Sequence, residues 1–359
     1  MREILSHLVA FETVGGNDDE IEECFEYIGE RLDFYPFIKK RFESNGKISY
    51  VWLTEDTLKP KVLLNAHIDV VPGSDGMFVM KEEGGKLLGR GVSDMKFAVA
   101  VFIDVLKELY EEKGELPSLG IMLTSDEEVG GMNGVGYLVN EIGFKPEVVV
   151  IPDGGDNWHI VNEAKGVLHV KLVVNGESAH SSKPWEGKNA IDLLMKDLVV
   201  LRKEFPSPEK EVWETTMNIG QLHGGSQTNQ VCDLAEGYLD FRHIPKEKRE
   251  SLWKRIRDVV KFSELEEIVT ADPFFVDGDD KHIKLWSKLI TRYRTERLLA
   301  REHGASDGRF FTSKEIPVIL SKPEGGLVHT ENEWLDVKAM GEYKEVLKEF
   351  LISLTKTDN

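Results

Sequence analysis

Short apolar, β-branched runs alternate with helical stretches through the first half of this chain, and that alternation is its strongest constraint on fold. Residues 50–53, 62–65, 120–124 and 148–151 have the length and composition of strands buried on both faces. Between them, residues 94–110 (DMKFAVAVFIDVLKELY) and 135–142 carry helical spacing. Ile21, Cys24, Phe25, Ile28 and Leu32 recur on one helical face, and Asn17 before them predicts a capped start. Strands and helices in this order pack as layers, an α/β sandwich.

The pattern changes near Gly166. Residues 167–174 (VLHVKLVV) read as a strand, 189–205 as a helix, 215–222 and 234–242 as strands, and 246–260 as a helix. A β-α-β-β-α unit of this size can make a four-stranded sheet carrying two helices. From about residue 280 the α/β pattern returns, with a helix to Thr295, a strand at 318–321 and a last helix at 337–354. The economical reading is a discontinuous α/β domain, 1–165 and 276–359, interrupted by an inserted domain, 166–275.

A formal charge of -19 over 359 residues excludes nucleic acid and anionic membrane as partners, since neither binds an acidic surface without a basic patch. No run approaches the ~18 apolar residues of a membrane span. The N-terminus lacks a basic region followed by an apolar stretch, so the cytoplasm is the expected address. Of the two cysteines, Cys24 falls on the apolar stripe of its helix and is expected to be a buried free thiol.

The chemistry-bearing residues share one placement, at or just after a strand end. They are His67 and Asp69 in NAHID, Glu127 and Glu128 in TSDEE, Asp153 in VVVIPD, and Asp94 in GRGVSD before a long helix, where it could also be the N-cap. A second histidine, His329, follows late in GGLVHTENE. Open α/β sheets collect ligands at those ends. Singly, each residue has a bland explanation as a turn, a cap or a solvated loop. Together on one edge, the carboxylates would repel and so require a cation. Imidazole and carboxylate without thiolate suits zinc, manganese or cobalt.

With A-H-S-S-K-P-W-E-G-K-N-A-I at 179–191 added to these motifs, the chain resembles the zinc exopeptidase and deacylase family of acetylornithine deacetylase, succinyl-diaminopimelate desuccinylase, glutamate carboxypeptidase and the carnosinase-type dipeptidases. The match runs from about Leu5 to Leu351. It implies a three-layer catalytic domain with an inserted α+β, ferredoxin-like lid and dimerisation domain. It also implies two zinc ions, with cobalt or manganese as substitutes, and hydrolysis of an amide or peptide bond in a small N-acyl amino acid or short peptide. Asp94 would bridge the ions, with His67 and Asp153 on one and Glu128 and His329 on the other. Asp69 would orient His67, Glu127 would be the general base, and His180 would donate to the oxyanion, from the neighbouring subunit in dimeric members. Asn229 and Arg242 match residues that grip the substrate, and Ser306 and Arg309, in an S-D-G-R loop resembling that of the desuccinylases, would also be substrate-binding. Ala305 departs from that branch, which has threonine there. Asp153, where carboxypeptidase and desuccinylase branches commonly carry glutamate, tilts the substrate toward an acetylated amino acid or a dipeptide. A homodimer through the inserted domain is expected.

Three other readings compete. A metallo-carboxypeptidase trimming peptides would use the same centre. A non-catalytic binding protein on this fold would be expected to lack a ligand or the base, and none is missing. A nucleotide-dependent enzyme is suggested by Gly84-Gly85 and Gly89-Arg90-Gly91, but neither has phosphate-loop spacing.

Overall fold

The computed structural model describes residues 1–294 and 298–355. The chain forms two compact units. The second comprises Glu163–Phe275 with Glu302–Ala305, and the first takes the chain before it together with Val276–Arg301 and the part from Ser306 onward.

In the first unit the strand order is Ile38–Ser44, Lys47–Leu53, Leu119–Thr124, Val62–His67, Val148–Ile151, Val318–Leu320. Val62–His67 is parallel to both its neighbours, and Val318–Leu320 is parallel to Val148–Ile151. Every residue of Val62–His67, Leu119–Thr124 and Val148–Ile151 is buried, so these strands are covered on both faces and show no period-two alternation. Helix Lys96–Lys113 buries Phe97, Val101, Phe102 and Val105, and each such side chain contributes about 1.5–3 kcal/mol. Helix Val337–Thr355 packs on it. Tyr343 from that helix is fully buried, and its hydroxyl donates to the Ser321 carbonyl at 3.1 Å, pinning the end of strand Val318–Leu320.

A small sheet joins Lys81–Glu83, Lys86–Leu88, Trp334–Asp336 and Gly325–Gly326. It sets the loop 327–333, carrying His329, beside the loop 89–94.

The second unit is an antiparallel sheet in the order Thr216–Gly224, Leu234–His243, Gly166–Asn175, Glu264–Ala271, with helices Ala190–Glu204 and Arg249–Val259. Its own core includes Leu168, Val170, Leu172, Leu201, Phe241 and Ile256. This is the ferredoxin-like arrangement. Its fourth strand, ELEEIVTA, escapes a sequence reading because it is a charged edge, as exposed edges commonly are.

Local expectations fail at several points. Asn17 precedes helix Asp18–Leu32 but makes no side-chain cap; its amide donates to the Glu12 carbonyl instead. Asp94 is not a cap either: Met95 holds that position, and the Asp94 carboxylate turns to two imidazoles. Residues 135–142 make one α-turn, Val135–Tyr137, and then widen to a π-helix that stops at the left-handed Gly143. The helix expected to reach Thr295 is Lys281–Ile290, and Thr295 lies outside the described residues. Both cysteines are buried and free.

Candidate metal centre

Parallel pairing brings the site together. His67 is level with Thr124, so the strand end bearing His67 meets the turn bearing Asp126, Glu127 and Glu128. Val62–His67 is also parallel to Val148–Ile151, which places Asp153 at the same edge two residues past its strand. Lys322 comes there by the same rule, two residues beyond Leu320. This edge is where the chain reverses its direction of travel across the sheet, the usual place for a ligand.

The hydrogen bonds of His67 define its chemistry. Nδ1 lies 2.9 Å from the Asp69 carbonyl oxygen and 3.6 Å from Oδ1 of the same residue. A carbonyl only accepts, so Nδ1 carries a hydrogen and the neutral ring has its lone pair on Nε2. Asp69 therefore orients the imidazole through its backbone more closely than through its carboxylate. The carboxylate Oδ2 accepts the Glu128 N–H at 3.0 Å.

Nε2 of His67 lies 3.3 Å from Asp94 Oδ1, and both residues are buried. A lone pair facing a carboxylate is repulsive unless a cation lies between. Without a metal that cation is a proton. Burial opposes it, but the Asp69 and Asp94 contacts outweigh burial and hold His67 well above its ordinary range. Across the same carboxylate, His329 Nε2 lies 3.1 Å from Asp94 Oδ2 and 3.2 Å from Glu128 Oε2. Burial would lift Asp94, yet His329 and His67 hold it well below the usual carboxylate range.

Two ligand groups result, His67 with Asp94 and Asp153, and Asp94 with Glu128 and His329, each with its donor atoms within 4.8 Å of one another. Asp94 belongs to both, one oxygen to each imidazole. Donors at bonds of ~2.0–2.1 Å around a tetrahedral ion stand roughly 3.3 Å apart, so the spacing of the Asp94 pairs fits a first-row divalent ion. His329 has φ 62°, a left-handed backbone uncommon outside glycine, which a functional constraint would explain.

Glu127 lies in neither group. Burial and then the Asp153 carboxylate push its pKa well above the usual range. Asp126 turns away, its Oδ2 accepting the Asn133 and Gly134 N–H groups.

Three residues around the centre escape a sequence reading. Lys322 is buried and pairs with Asp156 at 3.2 Å; burial opposes its charge, but Asp94, Asp153 and Asp156 hold its pKa above normal. A lysine after a strand end, SKP, was the only hint. Glu333 is buried beneath the Asp94 loop, although TENE reads as a solvated acidic turn.

Asp307 is the third. It is buried, 3.5 Å from Arg309, with neither carboxylate oxygen hydrogen-bonded among the described residues. It presses on Gly131, where a Cβ would stand 2.0 Å from its Oδ1. Burial, opposed by Arg309, pushes its pKa up to about 7. The folded chain thus keeps a proton that the unfolded chain releases near its ordinary pKa of 3.8. Stability is lost as pH rises from about 4 to about 7, by on the order of a few kcal/mol. In metal-free protein, Asp307→Asn should gain on wild type in melting temperature between pH 5 and pH 8. A difference independent of pH would exclude this origin.

Ser306 and Arg309 are buried and turned inward. The Arg309 guanidinium donates to the Ser306 carbonyl at 2.9 Å and to the Gly130 carbonyl at 2.6 Å, so it braces its own loop and the Glu127–Val129 turn. In the second unit, His180 and Asn229 lie on adjoining segments: the Ser181 N–H donates to the Asn229 carbonyl at 3.0 Å, and His180 bridges Gln230. His180 Nδ1 accepts the Ser182 N–H at 3.2 Å, which leaves the hydrogen of the neutral ring on Nε2. Arg242 binds Asp240 through Nε at 2.9 Å.

Comparison with known proteins agrees with the geometry. Acetylornithine deacetylase of Pectobacterium carotovorum is 33% identical over 199 residues, 52% of this chain and 51% of that protein; this chain thus aligns with about half of its length. The Edwardsiella ictaluri acetylornithine deacetylase is 32% identical over 66% of each chain. A tripeptidase structure from Staphylococcus aureus superposes with a TM-score of 0.80, covering 98% of this chain and 96% of that one at 21% identity, a likeness of fold. The profile of Peptidase family M20/M25/M40 matches residues 63–353, a span that holds every residue of the two ligand groups. This chain belongs to that family.

Proposed function

We propose that the protein is a metal-dependent hydrolase that cleaves an amide or peptide bond in a small N-acyl amino acid or short peptide, with two divalent ions, zinc first. The reading is carried by Asp94, whose two oxygens each face a different imidazole. His67, Asp94 and Asp153 would hold one ion, and Asp94, Glu128 and His329 the other. Such ions, when bound, polarise a carbonyl and acidify water.

The chain's own groups do the rest. Glu127, beside the ligands but outside both groups, takes the proton of the attacking water on its carboxylate and returns it to the departing amine nitrogen. Its proximity to Asp153 favours the protonated form it must pass through. His180, with its hydrogen on Nε2, has the donor that a tetrahedral oxyanion needs. Arg242 and Asn229 would grip the substrate's carboxylate or carbonyl. The aspartate at 153 and the acetylornithine deacetylase relatives favour an acetylated amino acid, with dipeptides next.

The test is removal of metal with a chelator, followed by return of zinc, cobalt or manganese, on a panel of N-acetyl amino acids, N-succinyl amino acids and dipeptides. Activity should vanish and return on one class of the panel. Full activity in metal-free protein would defeat the proposal.

A further inference from the structure

We infer that Glu333 is a positioning residue for the metal centre, holding the Asp94 turn and the His329 loop in one frame so that both present ligands to the same ions. The inference rests on the two-metal reading above.

Glu333 is 1% exposed, and Arg90 Nη1 meets its charge at 2.8 Å. Oε2 also accepts the Gly91 N–H at 3.1 Å, while Oε1 accepts the N–H groups of Ser93 at 2.9 Å and Asp94 at 3.1 Å. The Glu333 carbonyl accepts the Gly89 N–H at 3.3 Å. One residue thus gathers four amides of the turn leading into Asp94, those of Gly89, Gly91, Ser93 and Asp94. Converging amides make an anion cradle, and here the anion is a side chain 239 positions away in sequence. Gly91 makes the turn possible: its φ is +83°, and a Cβ there would come within 3.0 Å of Lys96. Arg90 extends the frame, donating through Nη2 to the Pro72 carbonyl at 3.2 Å. Glu333 lies four residues after His329 and leads into strand Trp334–Asp336, so fixing it fixes the downstream end of the His329 loop.

Asp94 can face two imidazoles only if its backbone is fixed, because a modest rotation would withdraw one oxygen. Glutamine cannot replace Glu333 in this role. Its carbonyl can serve one pair of donors, but its NH₂ then points at the other pair.

The experiment compares wild type and Glu333→Gln by calorimetric titration with Co²⁺, by the visible spectrum of the cobalt forms, and by kcat and KM. The variant should bind cobalt about 10- to 100-fold more weakly, with a shifted spectrum, and lose a similar factor in kcat with KM nearly unchanged. Arg90→Lys keeps the charge but cannot span Glu333 and Pro72; it should weaken cobalt binding by about 10-fold and supplies the answer if Glu333→Gln does not fold. Wild-type cobalt affinity and spectrum in the folded variant, even one of lowered melting temperature, would overturn the inference. A wild-type chain that takes up no cobalt would instead overturn the two-metal reading, so the two failures are distinct.

Discussion

Glu127→Ala is expected to lower kcat by up to about 10⁴-fold while the protein keeps its wild-type metal content. The two halves of that expectation have separate causes. Glu127 stands outside both ligand groups, so its loss removes no donor. It does remove a half-buried carboxylate whose proton affinity is raised by its surroundings, as a group that accepts and returns a proton requires. Glu127→Gln should fall nearly as far, since it preserves shape and loses the base. Metal analysis beside steady-state rates reads both halves. Ordinary turnover in either variant would move the base elsewhere, and loss of metal would make Glu127 a ligand.

Asp94→Asn should be the more destructive change for the centre. Asp94 is shared by the two ligand groups, whereas Asp153, His67, Glu128 and His329 each belong to one. An asparagine keeps one oxygen and turns an NH₂ toward the other imidazole, whose lone pair it would satisfy without any metal. Metal affinity should fall by more than the roughly 10- to 100-fold typical of changes to outer partners, and at both sites together. Asp153→Ala or His329→Ala should each release one ion and keep the other. Stoichiometry by elemental analysis after dialysis separates these outcomes. An Asp94→Asn protein that retains both ions would refute the bridge.

The wider surroundings of the candidate centre are less evident from the sequence than the residues proposed to hold the ions. HID, SDEE and VIPD sit at the ends of runs whose β-branched composition marks them as strands, so their common edge follows from chain order and parallel pairing. Lys322 follows an equally short strand but stands in SKP, a tripeptide with no chemical mark. Arg309 stands in a motif that offers it as a substrate contact and gives no sign that two of its donors brace the Ser306 and Gly130 carbonyls. Asn17 is misleading, a cap by residue type whose side chain goes to the Glu12 carbonyl.

By itself the sequence determined the layered α/β fold, the inserted unit and the residue types gathered at the candidate metal centre, because period, strand length and motif order are local properties. Only the tertiary structure decided that each oxygen of Asp94 meets a different histidine, that the Asp69 carbonyl sets the tautomer of His67, and that Glu333 lies buried under Gly91, Ser93 and Asp94. Those are matters of distance and desolvation between segments as much as 242 residues apart, and no local pattern encodes them.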